Sequence, residues 1–357
     1  MSWQDKLRQV EPYVAGEQPK ISNMIKLNTN ENPYGPSNQV KEVLKEIDIE
    51  KLKLYPNSDG EELRHALADY HGLKDNQVFL GNGSDEVLAL TFLTFFNGKE
   101  PVLFPNISYS FYPVYCDLYQ MSYKEVLLDQ DFKINVEDFK QPNSGIIFPN
   151  PNAPTGLLVS LDFIEEVLKS NPDSIVVVDE AYIDFGGQTC VPLIDKYDNL
   201  VVIQTFSKSR SFAGARLGVA LGNKEAISYL YDVKNSFNSY PVDYITQQIG
   251  LASVLDSQDM KEKCQKVIKT REYTKTKLKE LGFVVPDSYA NFVFVKHPEI
   301  DGEKLFLALR QEGIIVRHWN KPLIDQYLRI TIGTDQQMER LFEFLEKYIT
   351  QQQREGE

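Results

Sequence analysis

The chain has 357 residues with 51 acidic and 38 basic side chains, a formal charge of −13, and 42% of its residues are hydrophobic against 25% charged. That balance excludes disordered and fibrous chains, and the length allows a large core and about two domains. The acidic excess argues against a nucleic-acid surface, which needs clustered Lys and Arg. No apolar run approaches the ~18 to 20 residues that cross a bilayer, and the polar start from Met1 to Val10 is unlike a signal peptide, so a cytoplasmic protein with no membrane partner is expected. Cys116, Cys190 and Cys264 are odd in number and far apart, and His65, His71, His297 and His318 lack zinc-ligand spacing. Neither a disulfide framework nor a metal site is expected.

In chain order, the spacing predicts a helix over 61–70, a strand over 77–80, a helix over 85–96 and a strand over 102–104. Strands follow over 145–148 and 175–178 with a helix over 160–169 between them, then strands over 200–204 and 217–221. Short apolar runs alternating with helical patterns read as parallel strands joined by crossover helices, an α/β core. From about 243 to 281 the chain is Lys- and Gln-rich, amphipathic and free of Pro, and reads as one long helix bridging two domains. A strand over 291–296, a helix over 301–311, strands over 314–317 and 327–332 and a helix over 335–349 then suggest a small α+β domain with an antiparallel sheet. The expected division is an amino-terminal arm over 1–40 that belongs partly to the small domain, a large domain over 41–245, the small domain over 246–350 and a frayed tail over 351–357.

Chemistry-bearing residues gather at the predicted strand ends. Gly81-Asn82-Gly83-Ser84-Asp85-Glu86 follows a strand and opens a helix, where backbone N–H groups favour an anion such as a phosphate. It is not a dinucleotide fingerprint, because Glu86 stands where the third glycine belongs; a capped glycine turn accounts for it equally well. The turn-rich Asn150-Pro151-Asn152-Ala153-Pro154-Thr155-Gly156 lies at the carboxyl end of a strand, where open α/β sheets place ligands. Val176-Val177-Val178 runs straight into Asp179, an acid that needs a cationic or donor partner, with Tyr182 three residues on. Finally Thr205-Phe206-Ser207-Lys208 leaves a strand and Arg216 follows eight positions after the lysine. Taken alone, a lysine is usually a surface lysine. Here desolvation and neighbouring positive charge would lower the Lys208 pKa and make its amine a nucleophile able to form a Schiff base.

The order Asn152, Asp179, Tyr182, Ser207-Lys208, Arg216 and Arg329 resembles the pyridoxal-phosphate aminotransferases of fold type I over almost the whole chain. The segments Leu27 to Ser37, Tyr55-Pro56, Ser108 to Tyr112 and Leu328 to Thr334 are similar to those of the histidinol-phosphate aminotransferases, and overlap with related phosphothreonine decarboxylases and aromatic-amino-acid aminotransferases. The resemblance implies a large domain with a mostly parallel sheet flanked by helices, a small α+β domain and a pyridoxal 5'-phosphate cofactor held covalently by Lys208. It implies that Lys208 moves the proton of the substrate α-carbon, that Asp179 keeps the ring nitrogen protonated, that Tyr182 and Asn152 bond the ring hydroxyl and that Tyr109 stacks on the ring. The Ser84 and Asp85 amides, Ser207, Arg216 and Tyr55 from a second subunit would grip the phosphate, which makes the enzyme a homodimer. Arg329, partnered by Arg317, would take the glutamate carboxylate and the histidinol phosphate in turn, Tyr13 would close the pocket, and Asn28, Glu31 and Asn32 would face the substrate or merely fasten the arm. The implied reaction moves an amino group between L-histidinol phosphate and 2-oxoglutarate.

Overall fold

The computed structural model describes residues 2–19 and 23–356. Strands, in chain order, are β1 (Ile25–Lys26), β2 (Val78–Gly81), β3 (Val102–Pro105), β4 (Tyr123–Val126), β5 (Gly145–Pro149), β6 (Val176–Asp179), β7 (Leu200–Thr205), β8 (Gly218–Gly222), β9 (Phe292–Val295), β10 (Ile314–Ile315), β11 (Arg317–His318) and β12 (Leu328–Thr331). Helices are α1 (Asn38–Glu46), α2 (Glu61–His71), α3 (Gly83–Phe95), α4 (Phe111–Tyr119), α5 (Leu161–Ser170), α6 (Lys224–Phe237), α7 (Tyr244–Leu255), α8 (Ser257–Glu280), α9 (Gly302–Gln311) and α10 (Asp335–Gly356).

Seven strands form one sheet in the order β2-β8-β7-β6-β5-β3-β4, parallel except for β8, which runs against both neighbours. Both faces of this sheet are buried, which is why its central strands read as unbroken apolar runs. Val176, Val178, Leu200 and Val202 pack on one face with Leu67 of α2, Ile164 of α5 and Ile249 of α7. Val177, Val201 and Ile203 point to the other face, with Val87 of α3, Tyr112 of α4 and Leu230 of α6. Side-chain caps start several helices: Ser160 accepts from Phe163 N at 3.2 Å, Asp243 from Thr246 N at 2.9 Å and Asp301 from Lys304 N at 2.9 Å. A second core, with Phe292 and Val293 of β9, Ile330 of β12, Leu341 of α10 and Val267 of α8, underlies the antiparallel sheet β11-β12-β9.

The structure departs from the sequence reading in several places. The stretch expected as one bridging helix is two, α7 and α8, separated at Asp256. The break coincides with a change of partner: α7 buries Ile249, Ala252 and Val254 in the core of the large sheet, whereas α8 buries Met260, Cys264 and Leu278 in the second core. The switch of core therefore falls at Asp256. Residues 314–317 do not form one strand. Ile314–Ile315 pairs in parallel with β1, and Arg317–His318 pairs with β12 in a different sheet. Helix α10 also extends beyond 349, through a Gln- and Glu-rich end of good helix formers with no Pro or Gly until Gly356. Strand β4 was not expected at all. It is an edge strand whose first three residues are exposed, so it lacks an apolar signature.

Candidate active site

The carboxyl ends of the parallel strands meet in one row. Pro149 lies opposite Asp179, Asp179 opposite Ile203, and Thr205 opposite Gly218, which in turn faces Gly81. A cleft opens over this row, where an open α/β sheet offers its ligand site. Among the residues expected from sequence, Tyr13, Asn28, Ser84, Asp85, Tyr109, Asp179, Tyr182, Ser207, Lys208, Arg216, Arg317 and Arg329 line it.

Asp179, 4% exposed, ends β6 and accepts from Tyr112 Oη at 2.9 Å and Ala181 N at 3.3 Å. Burial pushes its carboxyl up to about 6, more than the Tyr112 and Ala181 hydrogen bonds can offset. Such a carboxyl suits a cationic partner, which would return it to the ionised form.

Lys208 leaves β7 on the loop to β8 and is half-buried, its Nζ 3.0 Å from the Thr29 carbonyl and 5.9 Å from the centre of the Tyr182 ring. Burial first, and then the Arg329 charge, lower its pKa to about 8, with Glu31 and Asp85 pulling the other way and Arg216 adding to the lowering. Its backbone is held by Asn32, whose Nδ2 donates to the Lys208 carbonyl at 3.1 Å and the Ser209 carbonyl at 3.2 Å. The amine is thus a poised nucleophile and base on a fixed backbone.

Beside it, the start of α3, Ser207 and Arg216 make an anion corner. Arg216 Nη2 reaches Asp85 Oδ2 at 2.9 Å and its Nη1 lies 3.5 Å from Ser207 Oγ, while Tyr109 Oη donates to Asp85 Oδ1 at 2.8 Å. Two glycines let the backbone close up here. A Cβ on Gly83, at φ +77, would stand 2.4 Å from Arg216 Nη2, and one on Gly218 would stand 2.4 Å from the Gly83 carbonyl carbon. The start of α3 thus packs against the Arg216 guanidinium, and helix starts favour anions.

On the far wall, Arg329 and Arg317 lie opposite one another across β11 and β12. The Trp319 ring centre sits 5.3 Å from the Arg329 guanidinium and 5.5 Å from that of Arg317. Arg329 Nη2 donates to the Asn28 carbonyl at 2.9 Å, but among the described residues its buried Nε has no partner, and neither has the buried Oδ1 of Asn28. Tyr13 stacks on Phe111 with ring centres 4.3 Å apart and so brings the amino-terminal arm over the cleft.

Four of the expected residues are not among those that line the cleft. Asn152 is adjacent in sequence to Ala153 and Pro154, which do line it; its Nδ2 donates to the Ile107 carbonyl at 3.0 Å and Thr155 Oγ1 at 2.9 Å, and its buried Oδ1 has no partner among the described residues. Glu31 and Asn32 do not line the cleft either: Glu31 is bound to Lys26 and Thr29, and Asn32 to the Lys208 backbone. Tyr55 is 82% exposed, stacked on Tyr240 at 4.6 Å and outside this chain's cleft. Sequence reasoning also missed Tyr112 and Asn30. Tyr112 lay inside a quoted motif, and only its position at the start of α4, facing β6, reveals its bond to Asp179.

Comparison with known proteins accords with this geometry. The family model for aminotransferase class I and II matches residues 22–345. A histidinol-phosphate aminotransferase of Lactococcus lactis subsp. cremoris (strain SK11) is 58% identical over 349 residues, 98% of each chain. One from Pseudomonas putida is 51% identical over 343 residues, 96% of this chain and 99% of that one. The crystal structure of the histidinol-phosphate aminotransferase from Clostridium acetobutylicum superposes with a TM-score of 0.84 at 26% identity, covering 92% of this chain and all of its own. The chain belongs to the class I and II aminotransferases and, within them, to the histidinol-phosphate aminotransferase family.

Proposed function

We propose that this chain is a pyridoxal-phosphate-dependent transaminase that moves an amino group between L-histidinol phosphate and 2-oxoglutarate, yielding imidazole acetol phosphate and L-glutamate, in L-histidine biosynthesis. The observation that carries the reading is 58% identity over nearly the full chain to a histidinol-phosphate aminotransferase, with the lysine, the buried acid and the arginine pair all facing one cleft. No described helix is long and apolar enough to cross a membrane, and the expected site of action is the cytoplasm.

The residues present fit the cofactor. The buried, unpartnered Asn152 Oδ1 would meet a ring hydroxyl, and the close-packed turn at Gly83 with Ser207 and Arg216 would hold a phosphate. When bound, the cofactor supplies an electron sink for the carbanion formed at the substrate α-carbon. Lys208 Nζ, its basicity lowered and its position set from the Thr29 carbonyl, would take up that proton and give it back. The Asp179 carboxylate, braced by Tyr112, would hold a positive charge on the ring nitrogen. Tyr109 would cover one face of the ring from its tether on Asp85. Arg329 and Arg317 take substrate carboxylate or phosphate, since both anions match the guanidinium fork, with Asn28 beside them and Tyr13 closing the arm.

The homodimer is part of the same reading. Tyr55 projects from a segment whose Ile49, Leu52 and Leu54 are also largely exposed, an apolar edge that a second copy would bury while receiving Tyr55 in its phosphate corner.

A single-turnover half-reaction tests the reading. Histidinol phosphate, phosphothreonine and phenylalanine are added separately to the yellow protein and the loss of colour followed. Rapid bleaching with histidinol phosphate alone is expected. Bleaching with phenylalanine alone, or carbon dioxide released from phosphothreonine, would move the substrate to a sister activity, and a protein that takes up no cofactor would overturn the reading.

A further inference from the structure

Tyr182 is held by a residue that no motif singled out. Buried Asn30 donates from Nδ2 to Tyr182 Oη at 3.0 Å. Thr331 meets the other end of the same amide. The Asn30 backbone N–H can only donate, and its partner is Thr331 Oγ1 at 3.0 Å. With the oxygen of Thr331 already accepting, its hydroxyl proton goes to Asn30 Oδ1, also at 3.0 Å. In this structure the amide oxygen faces Thr331 and the amide nitrogen faces Tyr182. Asn291 Nδ2 fixes the same residue from behind by donating to the Asn30 carbonyl at 2.9 Å, and Asn30 sits at φ +56, a conformation that Asn tolerates better than most side chains.

A phenol carries one proton. Because Tyr182 Oη accepts from Asn30, that proton is free for an oxygen in the cleft. Were the amide reversed, Oδ1 would capture it, and a ligand oxygen would face a lone pair instead. Burial raises the Tyr182 pKa, so the phenol keeps its proton to donate.

We propose that Asn30 and Thr331 are positioning residues that lock Tyr182 as a hydrogen-bond donor toward the ring oxygen of the bound cofactor. The inference rests on the cofactor reading given above. A donor at that oxygen favours the more negative, proton-poor state of the bound cofactor, so losing it raises the pH at which the bound cofactor changes colour.

The test is a spectrophotometric pH titration of the cofactor-loaded protein. Asn30→Gly removes the side chain while keeping the positive φ at no steric cost. Its midpoint should rise by about one pH unit, tenfold in the proton equilibrium. In a Tyr182→Phe background the same substitution should add nothing, because Asn30 acts only through that phenol. Thr331→Val should move the midpoint in the same direction, and Thr331→Ser, which keeps the hydroxyl, should leave it at the wild-type value. A coloured Asn30→Gly protein with an unshifted midpoint, or a shift of full size on top of Tyr182→Phe, overturns the inference and leaves the proposed function standing. A wild-type protein that takes up no cofactor overturns both.

Discussion

Arg317 and Arg329 are a directly opposed pair across β11 and β12, two like charges in register with the Trp319 ring within 5.5 Å of both. Like charges placed so are destabilising in a sheet by roughly 0.2 to 1 kcal/mol. The arrangement makes sense for a wall that is neutralised by its substrate. Arg317→Gln should therefore leave the ligand-free protein as stable as the wild type or slightly more stable, read by denaturant midpoint. Kinetically, Arg329→Gln should cost about 10- to 150-fold in kcat/KM with either substrate, the value of a charge-assisted contact of ~1.5 to 3 kcal/mol. Arg329→Lys should not rescue it, since a point ammonium cannot reproduce the fork.

Lys208 gives a prediction in pH. Its pKa is lowered from 10.5 to about 8, so below that value the amine is mostly protonated and cannot attack a carbonyl. Uptake of pyridoxal phosphate by cofactor-free protein should accelerate about tenfold per pH unit up to about 8 and then level off. An ordinary lysine would keep accelerating to beyond pH 10. Lys208→Ala should lose more than about 10³-fold in turnover while its circular dichroism stays that of the wild type.

How much of this was legible follows from where each signal lives. Strands β5, β6 and β7 are buried on both faces, so their apolar runs mark both their extent and the acid or turn that ends them, and Asp179 and Lys208 stand out by ending such runs. Strand β4 buries only Val126 and leaves no such mark. The break between α7 and α8 is equally silent, because a helical pattern continues through Asp256 while the core it faces changes. In the site, a residue acting at the end of its own strand is visible, whereas Tyr112 and Asn30 act on partners far along the chain, Asp179 and Tyr182, and no local spacing encodes that.

Asp179 links the site to stability. Its carboxyl is raised from 3.8 to about 6 by burial, so between those values the native cofactor-free protein keeps a proton that the unfolded chain has lost. Stability from this group is therefore undiminished below pH 3.8 and falls as pH rises toward 6, by about 3 kcal/mol in all for a difference of about two pH units. Asp179→Asn does not titrate. Measured without cofactor, its stability relative to the wild type should climb across that window and then stay level. With cofactor bound, a cationic ring nitrogen compensates the buried carboxylate, and the advantage should vanish. A difference between variant and wild type that does not change with pH would show that Asp179 is already ionised in the cofactor-free protein.

Tyr55 is the one cofactor residue proposed to serve another chain, and mixing variants can test it. If each site takes Lys208 from one subunit and Tyr55 from its partner, then Lys208→Ala and Tyr55→Ala homodimers both have two damaged sites. A mixed dimer has one site with both lesions and one with neither. Unfolded together in equal amounts and refolded, half of the dimers are mixed and each carries one intact site, so activity should recover to about a quarter of wild type. If Tyr55 instead serves its own chain, every site in the mixture carries one lesion and activity stays at the average of the two parents. Because Tyr55 is 82% exposed and packs mainly on Tyr240, its truncation should cost the isolated fold little, so the recovered activity reads the sharing of the site rather than repair of a damaged subunit.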